Sequence, residues 1–143
     1  MLVFLLAIFG VICWGVAPVF GRLGLDKVDP ITGLCLRTLI AATIVGSWLL
    51  ATGYTWRLHN VPLRSWLLLG VEAIFATLLG DLAYYAALKL GKVSNVSLIM
   101  STSPVITLWM AHSILGEHLT WLQIAGCFLI VLGLFLVGLQ HKL

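Results

Sequence analysis

Long apolar runs separated by short polar breaks make up almost the whole chain. A hydrocarbon core of about 30 Å takes about 20 residues at helical rise to cross. Five runs are that long: residues 2–21, 31–53, 65–88, 94–115 and 119–139. The breaks carry turn chemistry: Gly21-Arg22 through Asp29-Pro30, Gly53 through Pro62, Lys89 through Asn95, and Gly116-Glu117-His118. Connections this short make successive helices antiparallel neighbours. The pattern therefore predicts an all-α membrane protein, a single domain over residues 1–143 built as a bundle of five transmembrane helices. The first run lacks a basic leader and a clear small-residue cleavage site, so it is expected to be retained as the first helix.

Composition narrows the function classes. Of the 143 residues, 62% are hydrophobic and 9% charged, against roughly 45–50% and 25% in a soluble domain. That balance excludes a cytosolic enzyme, a nucleic-acid-binding module, a coiled coil and a disordered tail. The bilayer is the expected partner, and nucleic acid is not. The formal charge of +3 is a topology signal, because the cations sit in the breaks. The face carrying the N-terminus and the 54–64 loop has Arg57 and Arg64, while the opposite face has Arg22, Lys27, Lys89, Lys92 and Lys142. Positive charge concentrates on the cytoplasmic side, so the expected topology is N-out and C-in, in a cell or inner membrane. Tyr54, Trp56, Trp66 and Trp121 fall at helix ends on the first face, where an interfacial aromatic belt belongs.

Cys13, Cys35 and Cys127 lie inside apolar runs without metal-ligand spacing, so no disulfide, metal or cofactor is expected. No nucleophile arrangement, phosphate loop or H-E-x-x-H is present, and no enzyme activity or catalytic residue is expected. Chemistry is instead sought among ionisable groups inside the spans, which usually mark a pathway, a proton relay or a structural pair. Arg37 lies six residues into helix 2 and Asp81 seven residues from the end of helix 3, depths of about 9 and 10 Å from the same face. They are expected to form a buried structural ion pair. Glu72 is nine residues from Asp81, which at about 100° per residue places the two on opposite faces of a regular helix. Glu72 is expected to face the substrate pathway and to exchange a proton, as in proton-for-cation exchange.

Further pathway candidates are Trp14, near the middle of helix 1 and away from the aromatic belt, and Ser97, Ser101 and Pro104 on helix 4. Ser94, Ser97, Ser101, Pro104 and His112 share a stripe of about 80° on the helical wheel. Pro104 frees the carbonyl of Met100 beside Ser101, Thr102 and Ser103, and kinked helices near mid-membrane commonly line transporter sites. Gly126 and Gly133, seven apart on helix 5, and Ala42-x-x-x-Gly46 on helix 2 suit close helix packing within the chain or a dimer seam.

Trp14-Gly15, Asp29-Pro30 and Arg37 resemble the opening part of an EamA-type domain of the drug/metabolite transporter superfamily. Ala87-Leu88, Val93-Ser94, Pro104-Val105, Leu115-Gly116-Glu117, Gln123, Gly126 and Gly133 are similar, in order and spacing, to that family's closing pattern. Glu72 and Asp81 match no signature of it, and Asn95 stands where a small residue is more usual. Members commonly pair two five-helix halves of inverted topology and export small metabolites or drugs. The resemblance therefore implies a single half-size repeat acting as a secondary transporter of a small organic solute. It also implies a homodimer, or a heterodimer with a similar five-helix chain. Two other functions fit five helices: a flippase subunit for a lipid-linked sugar, and a non-transporting membrane partner subunit.

Overall fold

The computed structural model describes residues 1–140. The side chains of Arg57 and Gln140, and all of His141, Lys142 and Leu143, lie outside that description, so one of the seven cations behind the expected topology, Lys142, is not part of it. Helix α1 spans Leu2–Gly24, α2 Pro30–Ala51, α3 Thr55–His59, α4 Leu63–Ala73, α5 Asp81–Leu90, α6 Val93–Met100, α7 Ser103–Leu115 and α8 Trp121–Gln140. A π-helical segment, Ile74–Gly80, joins α4 to α5. Five helical stretches are long and apolar enough to cross a membrane: Leu2–Gly24, Pro30–Ala51, Leu63–Leu90, Val93–Leu115 and Trp121–Leu139. Each overlaps one of the five expected runs, with ends shifted by a few residues. The protein is an all-α membrane protein with five membrane-spanning helices.

Contacts divide the chain into two compact units, Met1–Leu90 and a second beginning at Gly91. In the first, α5 packs against both α1 and α2. The tightest layer sits where α1 ends, α2 begins and α5 ends. Leu25 and Leu88 are its buried plugs, at 2% and 0% exposure. Glycines make room for them: a Cβ at Gly33 would fall 2.5 Å from the Leu25 side chain, and one at Gly21 would touch Leu88. Polar ties close the same layer. Arg22 Nη1 donates to the Lys89 carbonyl at 2.7 Å, satisfying a helix C-terminus, and Lys89 Nζ donates to the Val28 carbonyl at 2.7 Å. The start of α2 is fixed by Asp29, whose carboxylate accepts from the amides of Ile31 and Thr32, with Pro30 in the first turn.

In the second unit α6 packs against α8, and Val96 on α6 is buried. The helix breaks at Ser101 and Thr102, and α7 restarts at Ser103 with Pro104 in its first turn. The ring lacks an N–H, which is harmless in a first turn and disruptive in a helix interior. Helix α7 ends on Gly116 at φ +68°, a conformation in which a Cβ is strained. His112 Nδ1 is 2.8 Å from the Glu117 carbonyl oxygen across that turn. Helix α8 starts from a reciprocal cap: Gln123 accepts from the Thr120 amide at 2.8 Å, and Thr120 Oγ1 accepts from the Gln123 amide at 3.3 Å.

Most large apolar side chains face outward, including Trp48, Phe75 and Leu122 at 70%, 67% and 85% exposure. In water that surface would drive aggregation. Against lipid tails it is the expected exterior, since helices alone already satisfy the backbone there.

Candidate functional site

The first unit brings Arg37 and Asp81 together as an ion pair between α2 and the start of α5, Nη1 to Oδ2. The charges hold each other at a depth where neither would be stable alone. Tyr85 completes the group, its ring centroid 5.9 Å from the Arg37 Cζ. Gly33 lets that ring lie against α2, because a Cβ there would come within 3.3 Å of it. The expectation of a buried pair needs correcting: the Arg37 side chain remains 49% exposed and that of Asp81 22%. Its contacts with Asp81 and Tyr85, both on α5, leave about half of the arginine side chain uncovered.

Gly33 and Tyr85 were missed in the sequence, although a signal existed. Gly33 lies four residues before Arg37 and Tyr85 four after Asp81, the spacing at which helical neighbours stack on one face.

One turn away, an apolar groove of about 550 Å³ runs between α2 and the π-helical segment. Leu34, Cys35, Thr38 and Leu39 form one wall, and Ala73, Ile74, Thr77 and Leu78 the other. The π-helix shapes the second wall. Its i→i+5 bonding widens the turn, and Gly80 closes it, since a Cβ there would lie 2.9 Å from the Phe75 carbonyl oxygen.

The same segment overturns the opposite-face arithmetic for Glu72 and Asp81. One wide turn takes up about one residue more than an α turn, turning Asp81 back by roughly 100° relative to a regular helix. Glu72, on α4 just before the groove, is exposed, and among the described residues it has no ion pair.

The remaining candidates fall on α1, on α6 and α7, and on α8. Trp14 is 82% exposed on α1. Ser97 is half-buried on α6 and Pro104 exposed on α7. Ser101 Oγ donates to the Leu98 carbonyl at 2.7 Å and Thr102 Oγ1 to that of Ile99 at 2.7 Å. These hydroxyls bond carbonyls in the last turn of α6, that of Ile99 also accepting from the Thr102 amide at 3.1 Å, and a single regular wheel does not extend from Ser94 to His112 across the break. On α8, a Cβ added at Gly126 or Gly133 would meet nothing within 4 Å, and the same holds for Gly46. Close packing within the first unit uses Gly21 and Gly33 instead.

Comparison with known proteins gives a consistent picture. Residues 1–139 match the model of the EamA-like transporter family. An uncharacterized transporter from the cobO 3′ region of Sinorhizobium sp is 28% identical over 120 residues, which cover 84% of each chain. The uncharacterized transporter YyaM of Bacillus subtilis is 27% identical over 87% of this chain but only 40% of its own length. One from Archaeoglobus fulgidus is 27% identical over 96% of this chain and 48% of its own. No solved structure matches.

Proposed function

Since this chain belongs to the EamA-like transporter family, and relatives are named as uncharacterized transporters, we propose that it exports a small organic metabolite or drug by alternating access. In this reading it works as a dimer of five-helix repeats in the cell membrane. The observation that carries the dimer is one of length: the chain aligns with less than half of two relatives and with most of a third. A midplane site built between two repeats needs a second repeat, which a second copy or a similar chain would supply. Orientation in this reading follows the cations of the sequence, Arg22, Lys27, Lys89, Lys92 and Lys142 on one side against Arg57 and Arg64 on the other, and puts the N-terminus outside. The flippase reading would need a deep basic pocket, and Arg37 alone supplies it.

Glu72 is the group we assign to proton coupling, because it is an exposed carboxyl within a span and has no ionic partner among the described residues. The test is solute flux in proteoliposomes with an imposed pH gradient. Glu72→Gln is expected to preserve folding and abolish the pH dependence of transport. Unchanged pH dependence in that variant would remove Glu72 from the coupling step, and no gradient-driven flux of any solute in the unaltered protein would overturn the transporter reading.

A further inference from the structure

We propose that the third span is a swivel: when its π-helical turn relaxes to α-helix, α4 rotates by about 100° against α5 and advances by about 1.5 Å, the rotation and rise of one residue. The motion carries Glu72 with it. Its use in transport rests on the reading of Glu72 as the coupling group, whereas the two registers rest on geometry alone.

Three observations in the first unit carry the inference. The first is unequal anchoring. Helix α5 packs on α1 and α2, and it is fixed there by the enclosed Leu88, the bonds of Arg22 and Lys89 to backbone carbonyls, and the Arg37–Asp81 pair. Neither α4 nor the π-helical segment packs closely on another helix of this unit, and neither contains a buried residue. One half of the span is therefore held, and the other is free to turn about its own axis.

The second observation is the joint. A π turn inside an α-helix is rare and is found mostly at functional sites. Ile74–Gly80 contains no proline, so every amide in it can reach the α-helical carbonyl as well. What ties the present register to the sequence is Gly80, where a Cβ would lie 2.9 Å from the Phe75 carbonyl oxygen. The third observation is room. The groove of about 550 Å³ lies between this segment and α2, so side chains on the turning half sweep through open space, where a close-packed neighbour would resist them.

The consequence falls on Glu72. In the present register it lies about 80° from Asp81 around the helix axis, and in a regular α-helix it would lie about 180° away. The swivel thus moves this carboxyl from the half of the helix surface that it shares with Asp81 to the opposite half. Arg64, on the same helix, turns with it, while Asp81 and Arg37 stay in place. Two discrete registers supply the bistable element that a switching transition needs.

The test is crosslinking in the full chain in lipid nanodiscs, with Cys13, Cys35 and Cys127 replaced by alanine and a short bifunctional thiol reagent as the probe. Leu39 and Ala73 line opposite walls of the groove, so Leu39→Cys with Ala73→Cys reports the present register. Rotation by about 100° takes Ala73 off its wall and brings Gly70, three residues earlier, onto it. Leu39→Cys with Gly70→Cys therefore reports the second register, and a Cβ at Gly70 meets nothing within 4 Å. With the span otherwise unaltered both crosslinks are expected, the first in excess. Gly80→Ala should shift the ratio toward the second by about fivefold or more, the preference for alanine over glycine inside a helix. Deleting Ala76 removes the extra residue, and should keep the first crosslink and abolish the second.

Absence of the second crosslink with the span unaltered, or a ratio that Gly80→Ala leaves unchanged, would overturn the swivel. Persistence of the second crosslink in the shortened chain would do the same, since the rotation would then not arise at the π turn; should that chain fail to fold, Gly80→Ala still decides. The crosslinks are read without a gradient. A protein that shows both registers and moves no solute would fail the transporter reading and keep the swivel, and flux through a protein with one register would do the reverse.

Discussion

At the scale of single residues, the Arg37–Asp81 pair gives a quantitative expectation. Removing one partner strands the other's charge, which costs more than the pair contributes. Because Arg37 is half exposed, the loss should be on the order of 1–2 kcal/mol for each alanine variant, below the range of a fully buried pair. Arg37→Ala with Asp81→Ala is expected to recover part of the sum, measured by thermal unfolding in detergent; strictly additive losses would mean that the two do not interact.

Asp29 gives a pH expectation of the opposite kind, at the membrane surface. Hydrogen bonding from Thr32, side chain and amide, and from Ile31 holds its carboxyl below the ordinary value of 3.8. A group whose folded value is depressed adds stability above its unfolded value, and that stability is lost as pH falls through the folded one. The pH dependence of unfolding as pH falls through and below the ordinary carboxylate range should therefore flatten in Asp29→Asn, which keeps the cap and cannot ionise. A slope identical to that of the unaltered protein would show that the cap carries none of it.

The depth match of Arg37 and Asp81 was legible because helical rise converts residue counts into position. Their exposure was not, since enclosure depends on what surrounds a side chain and no local pattern records that.

Among the elements, the third span separates what sequence can and cannot state. Its length and its polar residues were legible; the π-helical segment was not, because Ile74–Gly80 is as apolar as the flanking α-helix and differs only in which carbonyl each amide reaches. Gly80→Ala puts a Cβ against the Phe75 carbonyl, and the wide turn must shift to relieve it. A loss of about 1–3 kcal/mol is expected, as for other overpacked sites, although alanine is the better helix former by about 1 kcal/mol. Deleting Ala76 is the complementary experiment. A π-turn behaves as one inserted residue, so the deletion should yield a regular α-helix that keeps Glu72 and Asp81 in their present relative orientation. Crosslinking between cysteines placed at Arg37 and Asp81 would report that register, and its disappearance in the shortened chain would contradict the insertion picture. The break in the fourth span was anticipated from Pro104, and it falls two residues earlier, at Ser101 and Thr102, where a proline in a first turn costs least.

For the whole molecule, five spans could be read from composition and length, whereas the seams between helices could not. Gly126, Gly133 and Gly46 have the spacing associated with close approach, yet Gly21 and Gly33 are where side chains of the first unit press on a glycine. The spacing says that an approach is possible without naming the partner. Open space around Gly133 makes Gly133→Leu a clean test of a seam on α8: it should leave the monomer's unfolding temperature unchanged and, with light scattering as the readout, abolish the proposed dimer. A persistent dimer would move the seam elsewhere. A different consequence follows from α5 packing against both α1 and α2, with Leu88 fully enclosed. The first two spans reach the membrane with their shared partner still unsynthesised, so they must wait as independent inserted helices. Nascent chains arrested to expose residues only through Ala73 should have proteolysis-sensitive loops at Asp26 and Lys27, and chains that expose Leu90 should protect them. In that order of events the last turn to emerge, carrying Leu88 and Lys89, is the latch that turns three insertions into one assembled unit.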